Sequence, residues 1–388
     1  MKPVYLDYAA TTPADDEVVK AMLPFFGETF ANPSSVHTPG QKARTAVEKS
    51  RSRVAALLGA AAEEIIFTSG GTESDNLALK GLAAARRDFG DHIVTSAIEH
   101  HAVLRPCETL ERQGFRVTRV KVDATGMVDP GDVKKALTEK TILISIMHAN
   151  NEIGTIQPIG EIGRIARERG VVFHTDAVQT FGHLPIDVDR LNIDALSASG
   201  HKFYGPKGVG FLYLRKGTRI LPQMEGGEQE RDRRASTHNV PGIAGLGKAV
   251  ELAGERMAAE AERLAAMRDR AVERILTGIE RTHLNGHPRL RLPNNVNIRF
   301  DGVEGEALLF GLDMAGIACS SGSACTSSSV DPSHVLAAIG LQRQEAHSSL
   351  RFSLGRGTAD GDVDRFLDVL TVTVARLRAL AAGRGARG

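Results

Sequence analysis

The sequence predicts an α/β fold, with a mainly parallel sheet in a large domain and a smaller α+β domain beside it. Two observations support this. Short apolar, β-branched runs alternate with helical patterns through the first half of the chain. A continuous helical pattern then covers residues 242–278, and the regular alternation ends there. A chain of 388 residues with 42% hydrophobic content can bury a core of this size, or two cores that share a cleft.

The elements of the large domain follow in chain order. The predicted strands are EEIIFTS, HIVTSA, RVTRVKV, TILISIM, VVFHTDA, IDALSAS and GVGFLYL. The helical segments between the earlier strands are 73–87, 102–113, 131–138 and 158–169. This order of strand, helix and strand is typical of a parallel sheet covered by helices.

The smaller domain follows the long helix. It contains the strand NNVNIRF, a helix near 304–315, a loop rich in serine and glycine, the strand SSLRFSL and a last helix from residue 360. We therefore expect a large domain at 16–260, and a small domain that joins 1–15 to 261–388.

Composition excludes several classes of protein. Lysine plus arginine (48) nearly balances aspartate plus glutamate (47), so no overall field favours nucleic acid or an anionic membrane. The three cysteines form neither a CxxC pair nor a cluster with zinc spacing. The N-terminus MKPVYLDYAATTP lacks the pattern of a signal peptide, and no apolar run reaches membrane-spanning length. We expect a soluble, cytoplasmic protein with small-molecule or protein partners and no bound metal.

The stretch FTSGGTESDNLALKG joins a predicted strand to a helix through a tight glycine turn. Thr72 and Asp75 have the spacing of a capping box at the helix start. Backbone amides at such a start can bind a phosphate. The stretch matches neither the P-loop nor the dinucleotide pattern, and an ordinary capped helix is the alternative.

Two further strand ends carry charged residues. VVFHTDAVQT ends a buried strand with Asp176, at the edge where α/β sheets bind ligands, although this residue could instead cap the next segment. SGHKFYGPKGVG places Lys202 directly after another strand. Most lysines are solvated, but one that apolar walls desolvate can lose its proton and react with an aldehyde.

Together these stretches match the chemical needs of pyridoxal 5'-phosphate (PLP). Its phosphate needs amides and hydroxyls, its pyridine nitrogen needs a carboxylate, and its aldehyde needs an amine. The glycine turn, Asp176 and Lys202 supply one group each.

The chain resembles the PLP-dependent cysteine desulfurases of the NifS/IscS-like group over nearly its whole length. The motifs that carry the resemblance, in the order of that family, are YLDYAATTP, NPSSVH, FTSGGTESDN, EHHAVL, MHANNEIG, FHTDAVQ, SGHKFYGPKGVG, SSGSACTSSS and HSSLRFSLGR. The loop with serine and cysteine is specific, because related class V aminotransferases lack it. The resemblance implies a fold-type I PLP-dependent transferase that works as a homodimer.

The resemblance implies roles for the matching residues around the cofactor. Lys202 would hold it covalently, Asp176 would pair with the ring nitrogen, and Gln179 would contact the ring hydroxyl. His100 would stack on the ring. The phosphate would be bound by Gly71, Thr72, Ser199, His201 and the partner subunit's Thr237.

The resemblance also implies the reaction. Asn151 would lie beside the cofactor and the substrate carboxylate, which Arg351 would bind with its planar guanidinium. Lys202 would remove the α-proton of L-cysteine, and a cysteine thiolate would take the substrate sulfur as a persulfide, leaving L-alanine. The persulfide would pass to an acceptor protein for iron–sulfur clusters, thio-cofactors or transfer RNA.

The loop GIACSSGSACTSSSV contains two cysteines. Cys325 is flanked by small polar residues and matches the position of the family's nucleophile, so we expect it to react. Cys319 follows the apolar stretch GLDMAGIA, and we expect it to be a small buried hydrophobic residue.

One region departs from the family pattern. Glu228, Asp232, Ala235 and Ser236 stand where the family typically has glycine or serine.

Within the enzyme class, a selenocysteine lyase or a class V aminotransferase is the alternative function. A sulfur-relay scaffold without catalysis is another, although the intact Lys202, Asp176 and His100 argue against it.

Overall fold

The computed structural model describes residues 3–321 and 332–385. The strands are β1 (Val4–Tyr5), β2 (Ile65–Thr68), β3 (His92–Ser96), β4 (Arg116–Val120), β5 (Thr141–Ser145), β6 (Val172–Asp176), β7 (Ala195–Ser199), β8 (Gly210–Leu214), β9 (Thr282–Leu284), β10 (Asn295–Phe300), β11 (Ile317–Ala318), β12 (Ser320–Ser321) and β13 (Ser349–Ser353). The helices are α1 (Asp16–Met22), α2 (Pro24–Gly27), α3 (Thr38–Leu58), α4 (Gly71–Asn76), α5 (Leu82–Ala85), α6 (His101–Arg112), α7 (Pro130–Ala136), α8 (Ile159–Arg169), α9 (Val240–Gly278), α10 (Gly305–Met314), α11 (His334–Ala338), α12 (Arg343–His347) and α13 (Asp360–Gly385).

Seven strands form the large sheet, in the order β2-β8-β7-β6-β5-β3-β4. The central strands β7, β6, β5, β3 and β4 are mutually parallel, and β8 pairs antiparallel with both β7 and β2. Every residue of β3, β5, β6 and β7 is buried, as expected for strands with helices on both faces. The predicted α/β fold with a mainly parallel sheet is confirmed.

A second sheet lies in the C-terminal part of the chain. Its four strands are antiparallel, in the order β12-β13-β10-β9. The N-terminal strand β1 pairs with β11, and Val4 and Leu6 pack in the same hydrophobic core as this sheet. The first residues of the chain therefore belong to the core of the second sheet.

The long helix α9 contacts both cores. Its first buried stretch, from Val240 to Ala253, packs with the large sheet, and its second, from Leu264 to Ile275, packs with the small sheet. Our proposed domain boundary at residue 260 falls between these two stretches.

Five helices of the described residues were not expected from the alternating pattern: α1, α2, α3, α11 and α12. The 21-residue helix α3 packs along α9 and ends at Gly59, which has a left-handed conformation with φ of 70°. The short helices α11 and α12 follow the serine-rich loop.

Within the described residues, no helix is long and apolar enough to cross a membrane.

Candidate active site

A cavity of about 300 Å³ opens at the carboxyl ends of the central strands. Ten residues predicted from the sequence line it: Gly71, Thr72, His100, Asn151, Asp176, Gln179, Ser199, His201, Lys202 and Arg351. Chain segments far apart in sequence supply them, because parallel strands bring their carboxyl ends to one edge of the sheet. Two predicted residues are not placed there. Thr237 is exposed in the loop before α9, and Cys325 lies outside the described residues.

The turn between β2 and α4 has the backbone that the glycines predict. Gly70 has a φ of 153°, which side-chain-bearing residues rarely adopt. A Cβ atom on Gly71 would come 2.6 Å from Cγ2 of Val178, so a larger residue here would displace the cavity wall. The backbone of this turn can therefore approach a ligand closely.

The predicted capping box in this turn is wrong. No side chain caps the amino end of α4, and Asp75 is buried at 1% exposure. Glu73 instead accepts a hydrogen bond from the backbone N–H of Ser69 at 2.7 Å and pairs with Arg234 at 2.8 Å. Thr72 and Asp75 have the spacing of a capping box, but they do not form one. Asp75 is buried and borders the cavity, so its carboxylate does not cap the helix.

Lys202 follows β7 in a short 3-10 turn. Its ammonium donates hydrogen bonds to the carbonyl oxygens of Ala9 at 2.7 Å and Ala10 at 2.8 Å. The backbone carbonyl of Lys202 contacts Nε2 of His183 at 2.9 Å, which fixes the turn from behind. The N-terminal segment thus orients the amine that faces the cavity.

Asp176 is the last residue of β6 and is 6% exposed. Its Oδ1 accepts a hydrogen bond from the N–H of Val178 at 2.9 Å. Burial raises the pKa of Asp176 to about 6, while that hydrogen bond and the charge of Lys202 act in the opposite direction. A cationic ring nitrogen at this wall would stabilise the ionised carboxylate.

His100 caps the amino end of α6. Its Nδ1 accepts a hydrogen bond from the N–H of Ala102 at 3.1 Å. Burial, together with the charge of Lys202, lowers the pKa of His100 to about 4, so the ring is neutral at pH 7. Since Nδ1 is an acceptor, the single proton of the neutral ring is on Nε2.

Two of the remaining cavity residues, Gln179 and His201, contact the N-terminal segment. Gln179 donates from Nε2 to the carbonyl oxygen of Ala9 at 3.0 Å. His201 contacts the hydroxyl of Thr11 through Nδ1 at 3.1 Å, and burial lowers the pKa of His201 to about 4. Ser199 ends β7 beside the glycine turn, and both also border a second hollow that opens to solvent.

Arg351 lies in the middle of β13 and is 2% exposed. Its Nη2 donates to Oδ1 of Asp7 at 2.9 Å, and Nη1 donates to the carbonyl oxygen of Asn151 at 3.2 Å. The third donor, Nε, has no hydrogen-bond partner among the described residues. The guanidinium is therefore fixed on one side and retains donor capacity beside the cavity.

We expect Arg351→Ala to raise the KM for cysteine more than Arg351→Lys does. Each charged hydrogen bond is worth about 1.5–3 kcal/mol, so loss of the guanidinium should raise KM by about tenfold or more. Lysine keeps the charge without the planar donor pair. Steady-state kinetics on both variants test this, with cofactor absorbance as the check on folding. Unchanged KM values in both variants would show that another group binds the carboxylate.

The two cysteines that the structure describes are poor nucleophiles. Cys107 is fully buried in α6, and burial raises the pKa of its thiol to about 12. Cys319 is half-buried rather than fully buried, and packs at the edge of the small-sheet core. Burial also raises the pKa of Cys319 to about 12. A thiol with this pKa is almost wholly un-ionised at neutral pH.

The loop that departs from the family pattern is anchored by Glu230. This residue is 5% exposed and accepts hydrogen bonds from Arg51 at 2.7 and 2.9 Å, from His238 at 2.6 Å and from the N–H of Phe67 at 3.1 Å. Burial opposes ionisation of Glu230, but the contacts with His238 and Arg51 outweigh it and lower its pKa to about 2. The acidic substitutions at the exposed Glu228 and Asp232 leave this anchor in place.

Two of the departures have left-handed backbone. Asp232 has a φ of 61° and Ser236 a φ of 86°. Glycine adopts this conformation without steric cost, which explains why the family pattern has glycine there.

Sequence reasoning gave no role to individual residues of the N-terminal segment. Asp7 orients Arg351, while the carbonyls of Ala9 and Ala10 orient Lys202. The motif YLDYAATTP was the available signal, since an aspartate inside a short strand-like segment needs a partner. The partner is 344 residues away in sequence, so the pairing requires the fold.

The residues present fit PLP. The cavity has one lysine amine, a buried carboxylate at Asp176 and a neutral imidazole at His100. Backbone at Gly71 and hydroxyls at Thr72 and Ser199 also line it. This donor set supplies the amine, the ring-nitrogen partner and the phosphate ligands that the cofactor needs.

Comparisons with known proteins agree with this geometry. The class-V aminotransferase family model matches residues 4–366. A cysteine desulfurase IscS of Dictyoglomus turgidum is 55% identical over 380 residues, covering 98% of this chain and 96% of the relative.

Two solved structures extend the comparison. A NifS-like protein superimposes with a TM-score of 0.90 at 38% identity, covering 96% of this chain and 100% of that protein. SspA in complex with cysteine superimposes with a TM-score of 0.81 at 41% identity, covering 90% and 98%. This chain therefore belongs to the class-V aminotransferase family and, within it, to the PLP-dependent cysteine desulfurases of the NifS/IscS type.

Proposed function

We propose that this protein converts L-cysteine to L-alanine and transfers the sulfur to Cys325. The observation that carries the proposal is the meeting of Lys202, Asp176, His100 and Arg351 at one cavity. The likeness to an IscS cysteine desulfurase and to SspA in complex with cysteine supports the substrate.

The net reaction balances without an external oxidant. The C–S bond of cysteine breaks, and the sulfur atom forms an S–S bond with the Cys325 thiolate. The carbon that loses sulfur gains a proton, giving alanine, and the enzyme keeps a persulfide. When bound, PLP supplies an aldehyde for the substrate amine and a ring that accepts an electron pair.

The chain's own residues position the substrate and move its protons. Arg351, fixed by Asp7, binds the cysteine carboxylate with Asn151 beside it. Lys202 Nζ takes the α-proton as general base, and the carbonyl oxygens of Ala9 and Ala10 orient its side chain. His100 faces the same cavity as a neutral ring with its proton on Nε2, and can donate a hydrogen bond to the reacting groups.

The persulfide sulfur would pass to an acceptor protein, to supply iron–sulfur clusters, thio-cofactors or transfer RNA modification. We propose a cytoplasmic homodimer in which the partner subunit's Thr237 completes the phosphate site. The exposed position of Thr237 supports this arrangement, because its side chain is accessible to a second subunit.

Borohydride reduction tests the site assignment. We expect reduction of the purified protein to remove the visible absorption of the cofactor and fix PLP to Lys202. Peptide mapping by mass spectrometry would locate the label. Lys216, whose side chain is 81% exposed, is the matched control lysine. A label on Lys216 or Lys207 would overturn the assignment.

A further inference from the structure

A second carboxylate lines the cavity and has no part in the function proposed above. Asp75, in α4, is 1% exposed and borders the same cavity as Asp176. Its Oδ1 has no hydrogen-bond partner among the described residues. A buried ionised carboxylate needs a cation or several donors, so the protonation state of Asp75 matters to the site.

The nearest basic group does not supply a cation. Nε2 of His174 lies 3.6 Å from Oδ1 of Asp75, beyond hydrogen-bond distance. Both ring nitrogens of this fully buried histidine contact hydroxyls instead, Nδ1 with Ser145 at 2.9 Å and Nε2 with Ser197 at 3.0 Å. Hydroxyls can donate to one ring nitrogen and accept from the other, so the neutral ring is fully satisfied. Burial lowers the pKa of His174 to about 3.

The other ionisable groups around Asp75 also disfavour a second negative charge. Asp176 from β6 and Glu99 from the segment after β3 are acidic, and His100 at the start of α6 is neutral. The hydroxyl of Ser197, from β7, acts in the opposite direction on Asp75, but burial outweighs it. Burial raises the pKa of Asp75 well above its usual value, and the charge of Asp176 raises it further. The nearby ammonium of Lys202 acts on Asp176.

We propose that Asp75 is a neutral carboxylic acid in the working enzyme and acts as a positioning residue for Asp176. It borders the same cavity as Asp176 without adding charge, so a single negative charge faces the ring nitrogen of PLP. Two ionised carboxylates at this wall would carry one negative charge more than the single positive charge of a protonated pyridine ring can neutralise. The inference rests on binding of PLP in this cavity.

The direct test is nuclear magnetic resonance of the PLP-loaded protein labelled with ¹³C at aspartate side-chain carboxyls. Because only aspartate carboxyls carry the label, Glu99 and the other glutamates give no signal in this experiment. At pH 7–8 we expect one aspartate carbon with the chemical shift of a protonated acid. The same signal should be absent from Asp75→Asn and present in Asp88→Asn, a matched change at an exposed position. If wild-type protein shows no protonated aspartate in this range, or if its signal survives in Asp75→Asn, the proposal is wrong.

Cofactor spectra give a second readout. Asparagine is neutral and has nearly the same shape as the acid, so Asp75→Asn should keep the pH midpoint of the visible band within about one unit. Asp75→Ala should retain less cofactor, and Asp75→Asn should restore retention. A shift of more than about one pH unit in Asp75→Asn would show that a charge had been removed, and would contradict the proposal. A borohydride label on Lys202 without a protonated aspartate would overturn this inference and leave the proposed function intact.

Discussion

Cys325→Ser is expected to abolish turnover while the protein keeps its cofactor. Serine cannot form a persulfide, so alanine formation from cysteine should fall by about a hundredfold or more. Cysteine binding should still change the visible spectrum, since Lys202, Arg351 and the cavity walls remain. Cys325 lies outside the described residues, but Ser320, five residues earlier, pairs in register with Arg351. The chain therefore leaves the small sheet beside the strand that carries the proposed carboxylate ligand.

Cys319→Ser is the matched control and should keep most activity. Burial raises the pKa of the Cys319 thiol to about 12, so very little nucleophilic thiolate is present at pH 7. The assay follows alanine formation, and alkylation with mass spectrometry locates the persulfide. Persulfide on Cys319, or near-normal turnover in Cys325→Ser, would show that the nucleophile is assigned wrongly.

Lys202→Ala is expected to have the second large effect. Removing the amine takes away both the covalent attachment of the cofactor and the base for the α-proton. A general base contributes about 10²- to 10⁴-fold, so turnover should fall by at least that factor. Within the described residues, Lys202 is the one lysine that lines the cavity, so no neighbouring amine can replace it.

Lys216→Ala provides the control for Lys202→Ala, because its side chain is exposed at the far end of β8. It should keep full cofactor absorbance and turnover. Cofactor content, alanine formation and circular dichroism would be measured on both variants. If Lys202→Ala kept more than about a tenth of wild-type turnover, Lys202 would not be the base.

The sequence predicted the parallel sheet because its central strands are buried on both faces. Their residues read as short runs of apolar and small side chains such as TILIS and ALSAS, bounded by turns and helical segments. Helix α3 was not predicted, since TPGQKARTAVEKSRSRVAALL carries many charges and its apolar face is narrow. Packing along α9 stabilises it, and that contact is not visible in the local sequence.

The site was predicted where single residues follow strands, as with Asp176 and Lys202. The supporting contacts could not be predicted, because they join residues that are distant in sequence. Asp7 and Arg351 are one example, and Asp15 with Arg356 is another. The capping box failed for a related reason, since spacing alone does not tell whether Asp75 faces solvent or the cavity.

The most direct test of the central claim is a product analysis with L-cysteine as the only amino acid and no 2-oxo acid present. We predict that PLP-loaded protein forms alanine, with one sulfur atom recovered as enzyme persulfide, or as sulfide once a thiol reductant is added, for each alanine released. Any activity that the protein shows with selenocysteine should also be observed with cysteine. A requirement for a 2-oxo acid, or alanine formation from selenocysteine alone, would contradict a cysteine desulfurase.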